Sequence, residues 1–491
     1  MVNTQFGSFF EVKKLEVTES NLVQCSLGLT EENENKILSL TGAVLKGDEN
    51  TEEEFLVYGG LATFNAVFMA DELTRIEVGT KFTFKTKKPT DTCSLKSVSY
   101  KLSGIRVKKD GGMLYGEATL TTTITYFEVE EKNYLNSTDA LAKCGTMPIL
   151  TKTGFSASFE LEDEFEVKKI KRVLASDAAL VVTKVDCDGG VVKVYGEANL
   201  SVVMLPFGEN SDILKEQRNI PFNYEVDCEA SQDNCLATAM AMLNKLNLKV
   251  YQDEEKGIST ITAVISFTVL GTCQARVDET FVEDCYSPSC ELVTNYASSE
   301  DFAIIAHRSV QEKAFGKAHG EVPEYSRLAK IIGERVEVSQ SQIDGEKLTV
   351  SGVVVGSGIF IGSENEFIKS DFSLPFSVDI GVTGDAFDNL QVALESLTCK
   401  LRSGKMEAEA VLQICFTEYE KLGYKFINAL VEGEAKPERA AAISVYLGKK
   451  GDTSWDVTKH LGLSEEEILK YNENLTFPLS GNEKIVVFRQ R

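Results

Sequence analysis

Three histidines, eleven cysteines and a surplus of carboxylates are the residues of this 491-residue chain that could do chemistry. His307 and His319 stand twelve residues apart, with no C-x-x-C or H-E-x-x-H beside them, whereas zinc sites draw on such closely spaced ligand pairs. CYSPSC, from Cys285 to Cys290, separates its thiols by four residues and stands alone, which suits a surface loop with incidental thiols. Cys144, Cys273 and Cys415 fall in strand-like runs and are expected to fill cores as small hydrophobes. Nucleophilic catalysis needs a Ser or Cys held by a base, and no G-x-S-x-G elbow occurs. GSGIFIGSEN lacks the G-K-[ST] ending of a phosphate loop, so Gly356 and Gly358 read as strand bulges. Glu162, Asp163 and Glu164 read as a solvated charge run. No catalytic residue, metal or cofactor is assigned, and an enzyme is not expected.

The elements that would have to position such groups are strands. KVYGEANLSVVML and GEATLTTTITYFEV alternate apolar and polar residues with period two and are rich in Val, Thr and aromatics. Within residues 1–425 helical periodicity is expected only at Asn234 to Leu248 and, as smaller candidates, near Asp388 to Ser396 and Val310 to Ala318. The strands recur in a fixed order. FLVYGG, KFTF and ITY (Phe55, Lys81, Ile124 onward) are followed by VKVYGE, PFNYEV and ISF (Val192, Pro221, Ile265), then by LTVSGV, PFSVDI and ICF (Leu348, Pro375, Ile414). Gly59, Gly196 and Gly352 precede the first aromatic of the second motif, Phe82, Phe222 and Phe376, by 23, 26 and 24 residues. That regularity predicts three antiparallel β-sandwich-like repeats, over residues 1–145, 160–280 and 325–428. The glycines mark a bulge or a close backbone approach. Asn136 to Thr153, Val277 to Glu324 and Ala429 to Ala442 read as linkers.

A formal charge of −24 would repel a phosphate backbone, so nucleic acid and anionic membrane are poor partners, and neither nucleic-acid binding nor membrane insertion is expected. All of that excess lies before residue 443, because residues 443–491 hold seven basic and seven acidic side chains. No secretory leader or membrane-spanning run is seen, and an odd number of irregularly spaced cysteines argues for reduced thiols in a cytosolic chain.

Residues 443–491 parse separately. ISVYL is a short strand and KKGDT a turn; Asp452 or Thr453 caps one helix, Ser464 and Glu467 form a capping box for a second, and KIVVF closes as a strand. The order is β-α-α-β. Trp455, the single tryptophan, can either pack the first helix on the small sheet or anchor a partner.

Tyr446, Gly451, Asp452, Thr453 and Trp455 match the Y-x-V-x-x-G-D-T-x-W pattern of LysM modules, and Ser464, Glu466, Glu467, Ile468 and Asn472 match S-x-E-E-[IL]-x-x-x-N. The segment therefore resembles a LysM module, with Gly448 and Ser454 standing where that family usually has Val and Leu. The resemblance implies a shallow groove for N-acetylglucosamine polymers between Gly451–Ser454 and Leu475–Leu479. Gly451, Asp452, Thr453, Ser454, Trp455, Asn472, Phe477 and Leu479 are its candidate contacts to glycan or protein. Three β repeats followed by such a module resemble the spore-coat assembly (SPOCS-domain) proteins of Firmicutes, of the SipL-like morphogenetic type. That resemblance implies docking to a coat-basement ATPase in the mother-cell cytosol, at the forespore surface. The alternative is a wall protein gripping peptidoglycan; a cell-wall hydrolase is the weakest option.

Overall fold

The structure, a computed structural model, describes residues 2–208, 213–231, 235–317, 326–363, 367–402, 405–436 and 443–488. One six-strand plan is used three times. The first copy holds β1 (Thr4–Thr30), β2 (Ile37–Thr51), β3 (Phe55–Met69), β4 (Leu73–Lys87), β5 (Ser94–Asp110) and β6 (Met113–Thr138). The second holds β7 (Leu141–Lys168), β8 (Ile170–Asp188), β9 (Val191–Pro206), β10 (Leu214–Asp227), β11 (Leu236–Asp253) and β12 (Ile258–Tyr286). The third holds β13 (Cys290–Lys317), β14 (Arg327–Asp344), β15 (Lys347–Ile361), β16 (Phe367–Gly381), β17 (Ala386–Arg402) and β18 (Lys405–Ala435). Each copy makes two antiparallel sheets: an inner meander, such as β8-β9-β10, and a closing sheet in which the last strand lies between the first and the fifth, as in β7-β12-β11.

Period-two alternation builds the core of each copy. Val192, Val194, Ala198, Leu200 and Val202 of β9 pack in one cluster with Ile261, Ala263, Ile265, Phe267 and Val269 of β12. The third copy repeats this with Val350 and Val354 against Ala410, Leu412, Ile414 and Phe416. Fully burying a Val, Leu, Ile or Phe contributes about 1.5–3 kcal/mol, so alternate positions along paired strands outweigh local propensity.

That competition decides the expected helices. The stretch from Leu236 to Leu248 is strand: Ala237, Ala239 and Ala241 are buried at period two and the segment pairs with β12 along its length. Asn234 lies outside the described residues. Asp388 to Ser396 belongs to β17, and Val310 to Lys317 belongs to β13, with Ala318 undescribed. The expected linkers are also largely strand. Leu141 to Thr153 opens β7 and buries Met147 and Leu150; Val277 to Tyr286 completes β12; Ala429 to Ala435 completes β18. Residues 318–324 and 437–442 fall outside the described residues. Each copy thus takes in more chain than the motif spacing marks, because its first and last strands pair across more than a hundred residues.

The repeat glycines mark a shared device. Gly60, Gly196 and Gly352 lie directly across from Phe82, Phe222 and Phe376, and a Cβ on any of them would overlap that ring. On the other side, the preceding strand bulges beside each glycine, after Lys46, Val182 and Val338. The bulged Thr183 and Ser339 donate their hydroxyls to the carbonyls of Tyr195 and Ser351. In the first copy the equivalent glycine is Gly60, one residue beyond the expected Gly59.

Seven residues after these glycines come Val67, Val203 and Ile359, which meet in one buried cluster with Leu38, Leu174 and Ile332. At the other end Phe9, Tyr134, Met147, Phe281 and Phe426 form another cluster drawn from all three copies. Equivalent positions meeting at both ends pack the copies around a common axis. A closing unit follows: β19 (Ile443–Leu447), α1 (Ser454–Leu461), α2 (Glu465–Leu469) and β20 (Lys484–Phe488), with β19 and β20 antiparallel.

Candidate functional site

The closing unit is built by local chemistry. Thr453 caps α1 reciprocally with Asp456, Gly462 ends that helix in the left-handed region, and Ser464 and Glu467 box the start of α2. Its core is Val457, Leu461, Ile468, Leu479, Ile485 and Val487.

The two loops expected to form a groove are brought together. Leu479 N donates to the Asp452 carbonyl at 2.9 Å, and Gly451 N donates to the Leu479 carbonyl at 2.8 Å. The Asp452 carboxylate accepts from the Tyr446 hydroxyl at 2.7 Å and from Lys449 N at 2.8 Å, which holds it below the usual carboxylate range. Glu483 is pinned by Ser480, Gly481 and Asn482, and its pKa falls to about 2. Gly448 is explained here, since a Cβ on it would meet Leu479 Cδ1 at 2.6 Å and leave no room for a larger side chain.

Most of the candidate contacts serve the fold. Asn472 donates its amide to the Ile468 and Val486 carbonyls, both at 2.8 Å, and its oxygen accepts from Val486 N at 3.0 Å, clamping α2 to β20. Leu479 is buried, Phe477 packs on the same core, and Ser454 is the first residue of α1.

Trp455 faces the β body. Its indole Nε1 donates to Asp284 Oδ2 at 3.0 Å, the Lys459 ammonium reaches the same oxygen at 2.6 Å, and its ring lies 5.2 Å from that of Tyr286. The Tyr286 hydroxyl in turn donates to the Leu463 carbonyl at 2.7 Å. A register shift between Val282 and Asp284 at the end of β12 accompanies this contact, and bulges re-aim side chains. The sequence reading missed Asp284 and Tyr286; they flank Cys285 in a stretch read as irregular.

The open surface lies elsewhere on the unit. Ile443, Val445 and Leu447 alternate along β19 with exposures of 55, 58 and 66%, and Phe488, paired with Ile443, is 48% exposed with its ring 5.1 Å from that of Tyr471. Tyr446, between them, turns inward.

Other chemical groups are used internally. His307 lies in β13, its Nε2 at 2.8 Å from the Val182 carbonyl and its Nδ1 at 3.2 Å from Thr417. His319 is undescribed. Cys285 and Cys290 are buried around the tight β12–β13 turn instead of lying in an open loop, while Cys144 is exposed and not in a core; Cys273 and Cys415 are buried as expected. Among the described residues no group of three or more His, Cys, Asp or Glu could hold a metal ion, and no helix is long and apolar enough to cross a membrane. Compared with known proteins, the chain matches no family model, no curated protein and no solved structure.

Proposed function

We propose that this protein is an assembly scaffold with no reaction of its own, in which the triplicated β body carries a LysM-like closing unit that docks a protein partner. The observation that carries this reading is the aliphatic face of Ile443, Val445, Leu447 and Phe488, exposed on a unit whose indole is already engaged by Asp284. Exposed contiguous apolar side chains on a small unit mark protein contacts, whereas sugar sites need polar groups free to bind hydroxyls. Asp452, Asn472 and Thr453 have their polar atoms committed to the fold. The resemblance to spore-coat assembly proteins supplies the partner class, a coat-basement ATPase of the mother-cell cytosol, and the place, the forespore surface.

The test mixes the full chain, separately, with such an ATPase and with protein-free peptidoglycan, using native protein and a Val445→Lys, Leu447→Glu double variant. Saturable binding to the ATPase that the double variant loses supports the proposal. Saturable binding to peptidoglycan, blocked by chitin oligomers and unchanged in the double variant, overturns it in favour of a wall-binding protein.

A further inference from the structure

A cavity of about 740 Å³ opens where the closing sheets of all three copies meet. Its volume falls in the range of small-molecule sites and far exceeds what an inorganic ion fills. One part of its lining is apolar, with Met240, Met242, Leu270, Phe387 and Leu390. The other part carries ammonium groups, and these differ in how they are neutralised. Lys14 reaches Glu16 at 2.8 Å and Asp388 at 2.5 Å, Lys13 reaches Glu130 at 3.0 Å, and Lys152 is paired with Asp301.

Lys96 is the exception. Among the described residues no carboxylate pairs with it; its Nζ lies 3.5 Å from the Gly271 carbonyl and 5.5 Å from the centroid of the Phe127 ring. It occupies the register shift between Leu95 and Ser97 in β5, which takes it out of the ladder. Gly154 on β7 leaves the room for it, since a Cβ there would overlap the ammonium. Burial pushes the Lys96 ammonium down, which is what a desolvated cation without an acid partner undergoes. Two features from different copies thus combine to hold an ammonium that no carboxylate of the described residues pairs with, beside an apolar wall.

We propose that this cavity binds an amphipathic organic monoanion, its charged group on the Lys96 ammonium and its apolar body against Met240, Met242 and Leu270. Among the described residues of the lining, the ammonium with no carboxylate partner calls for one negative charge, and the wall calls for an apolar body. The site is independent of the partner-docking face and does not rest on that reading.

The probe is anilinonaphthalene sulfonate, an organic monoanion with an aromatic body, titrated by fluorescence into the full chain. One saturable site, displaced by decanoate and not by inorganic phosphate, is expected. Lys96→Met should weaken it by about tenfold or more, the usual effect of removing a charged hydrogen-bond partner, without lowering the thermal midpoint, because a desolvated charge is replaced by a similar apolar chain. Met240→Trp, which fills the apolar part, should weaken it comparably and provides the reading if Lys96→Met does not fold. Unchanged affinity in the variants, or displacement by phosphate as effective as by decanoate, overturns the proposal.

Discussion

The indole N–H of Trp455 and the carboxylate of Asp284, 171 positions apart in the chain, form a 3.0 Å hydrogen bond that ties the closing unit to the end of β12. Burial raises the Asp284 carboxyl, but the Lys459 ammonium and the Trp455 N–H outweigh it, so the group is held below the usual carboxylate range. A depressed folded-state value means the contact is fully formed above about pH 4 and is lost as pH falls below that. Because Trp455 is the only tryptophan, its emission reports the contact directly. The emission maximum should hold steady from neutrality to about pH 4 and shift to the red below it. Asp284→Ala should give the red-shifted, acrylamide-accessible emission already at pH 7. Native-like emission and quenching in that variant would place the indole elsewhere.

The glycine and phenylalanine pairing predicts a large effect at one position and none at another. A side chain at Gly196 would overlap both the Phe222 ring and the Val181 carbonyl, and backbone cannot move aside cheaply. Gly196→Val should destabilise the second copy by about 3 kcal/mol, a sizeable overpacking effect, and lower the thermal midpoint. Gly381→Ala, where nothing lies within 4 Å of the added Cβ, should leave the midpoint unchanged. Equal effects at the two sites would show that the ring does not sit over the glycine.

These two contacts also show what a sequence discloses. The caps at Thr453 and Ser464 were legible because their partners, Asp456 and Glu467, lie three residues away. The alternation of Val192 to Val202 was legible because a half-buried strand repeats every second residue. Leu236 to Leu248 was misread as a helix because Ala, Met and Leu favour one locally, while the deciding pairing with β12 comes from Ile258 onward. The two glycines of FLVYGG cannot be told apart by spacing; only the register with β4 selects Gly60. Asp284 was invisible as a site residue for the same reason: its partner is supplied by the far end of the chain.

One part of the contact between the second and third copies is polar, and it predicts a pH response. His307 bridges the Val182 carbonyl and Thr417, Thr417 bonds to Thr238, and Asn389 reaches Thr238 at 2.7 Å. Burial holds the His307 imidazole below its ordinary value, and the Val182 carbonyl offsets this only in part. The stability gained by keeping it neutral is therefore full above about pH 6.5 and declines as pH falls through that value. The thermal midpoint should drop between pH 8 and pH 5.5. His307→Gln should lower the midpoint at pH 8 and flatten its pH dependence, whereas an unchanged slope would assign the response to carboxylates.

Fold and docking in the closing unit are carried by different residues, so two substitutions should separate them. Asn472→Ala removes one hydrogen bond to Ile468 of α2 and two to Val486 of β20, and leaves the Val486 amide and carbonyl without their partner. Leaving part-buried backbone groups unpaired costs about 1 kcal/mol, so exchange of the Val486 amide should accelerate about fivefold. Leu447→Lys touches a side chain 66% exposed and should change stability by less than about 0.5 kcal/mol. Its effect belongs to binding: a charge set into an apolar contact should weaken the partner by about tenfold or more. If Leu447→Lys binds normally while Asn472→Ala loses the partner without loosening the unit, the polar loops are the docking site and the aliphatic face is not. The reverse pattern follows from the geometry, because the Asn472 side-chain amide is committed to Ile468 and Val486, and Leu447 is 66% exposed among the described residues.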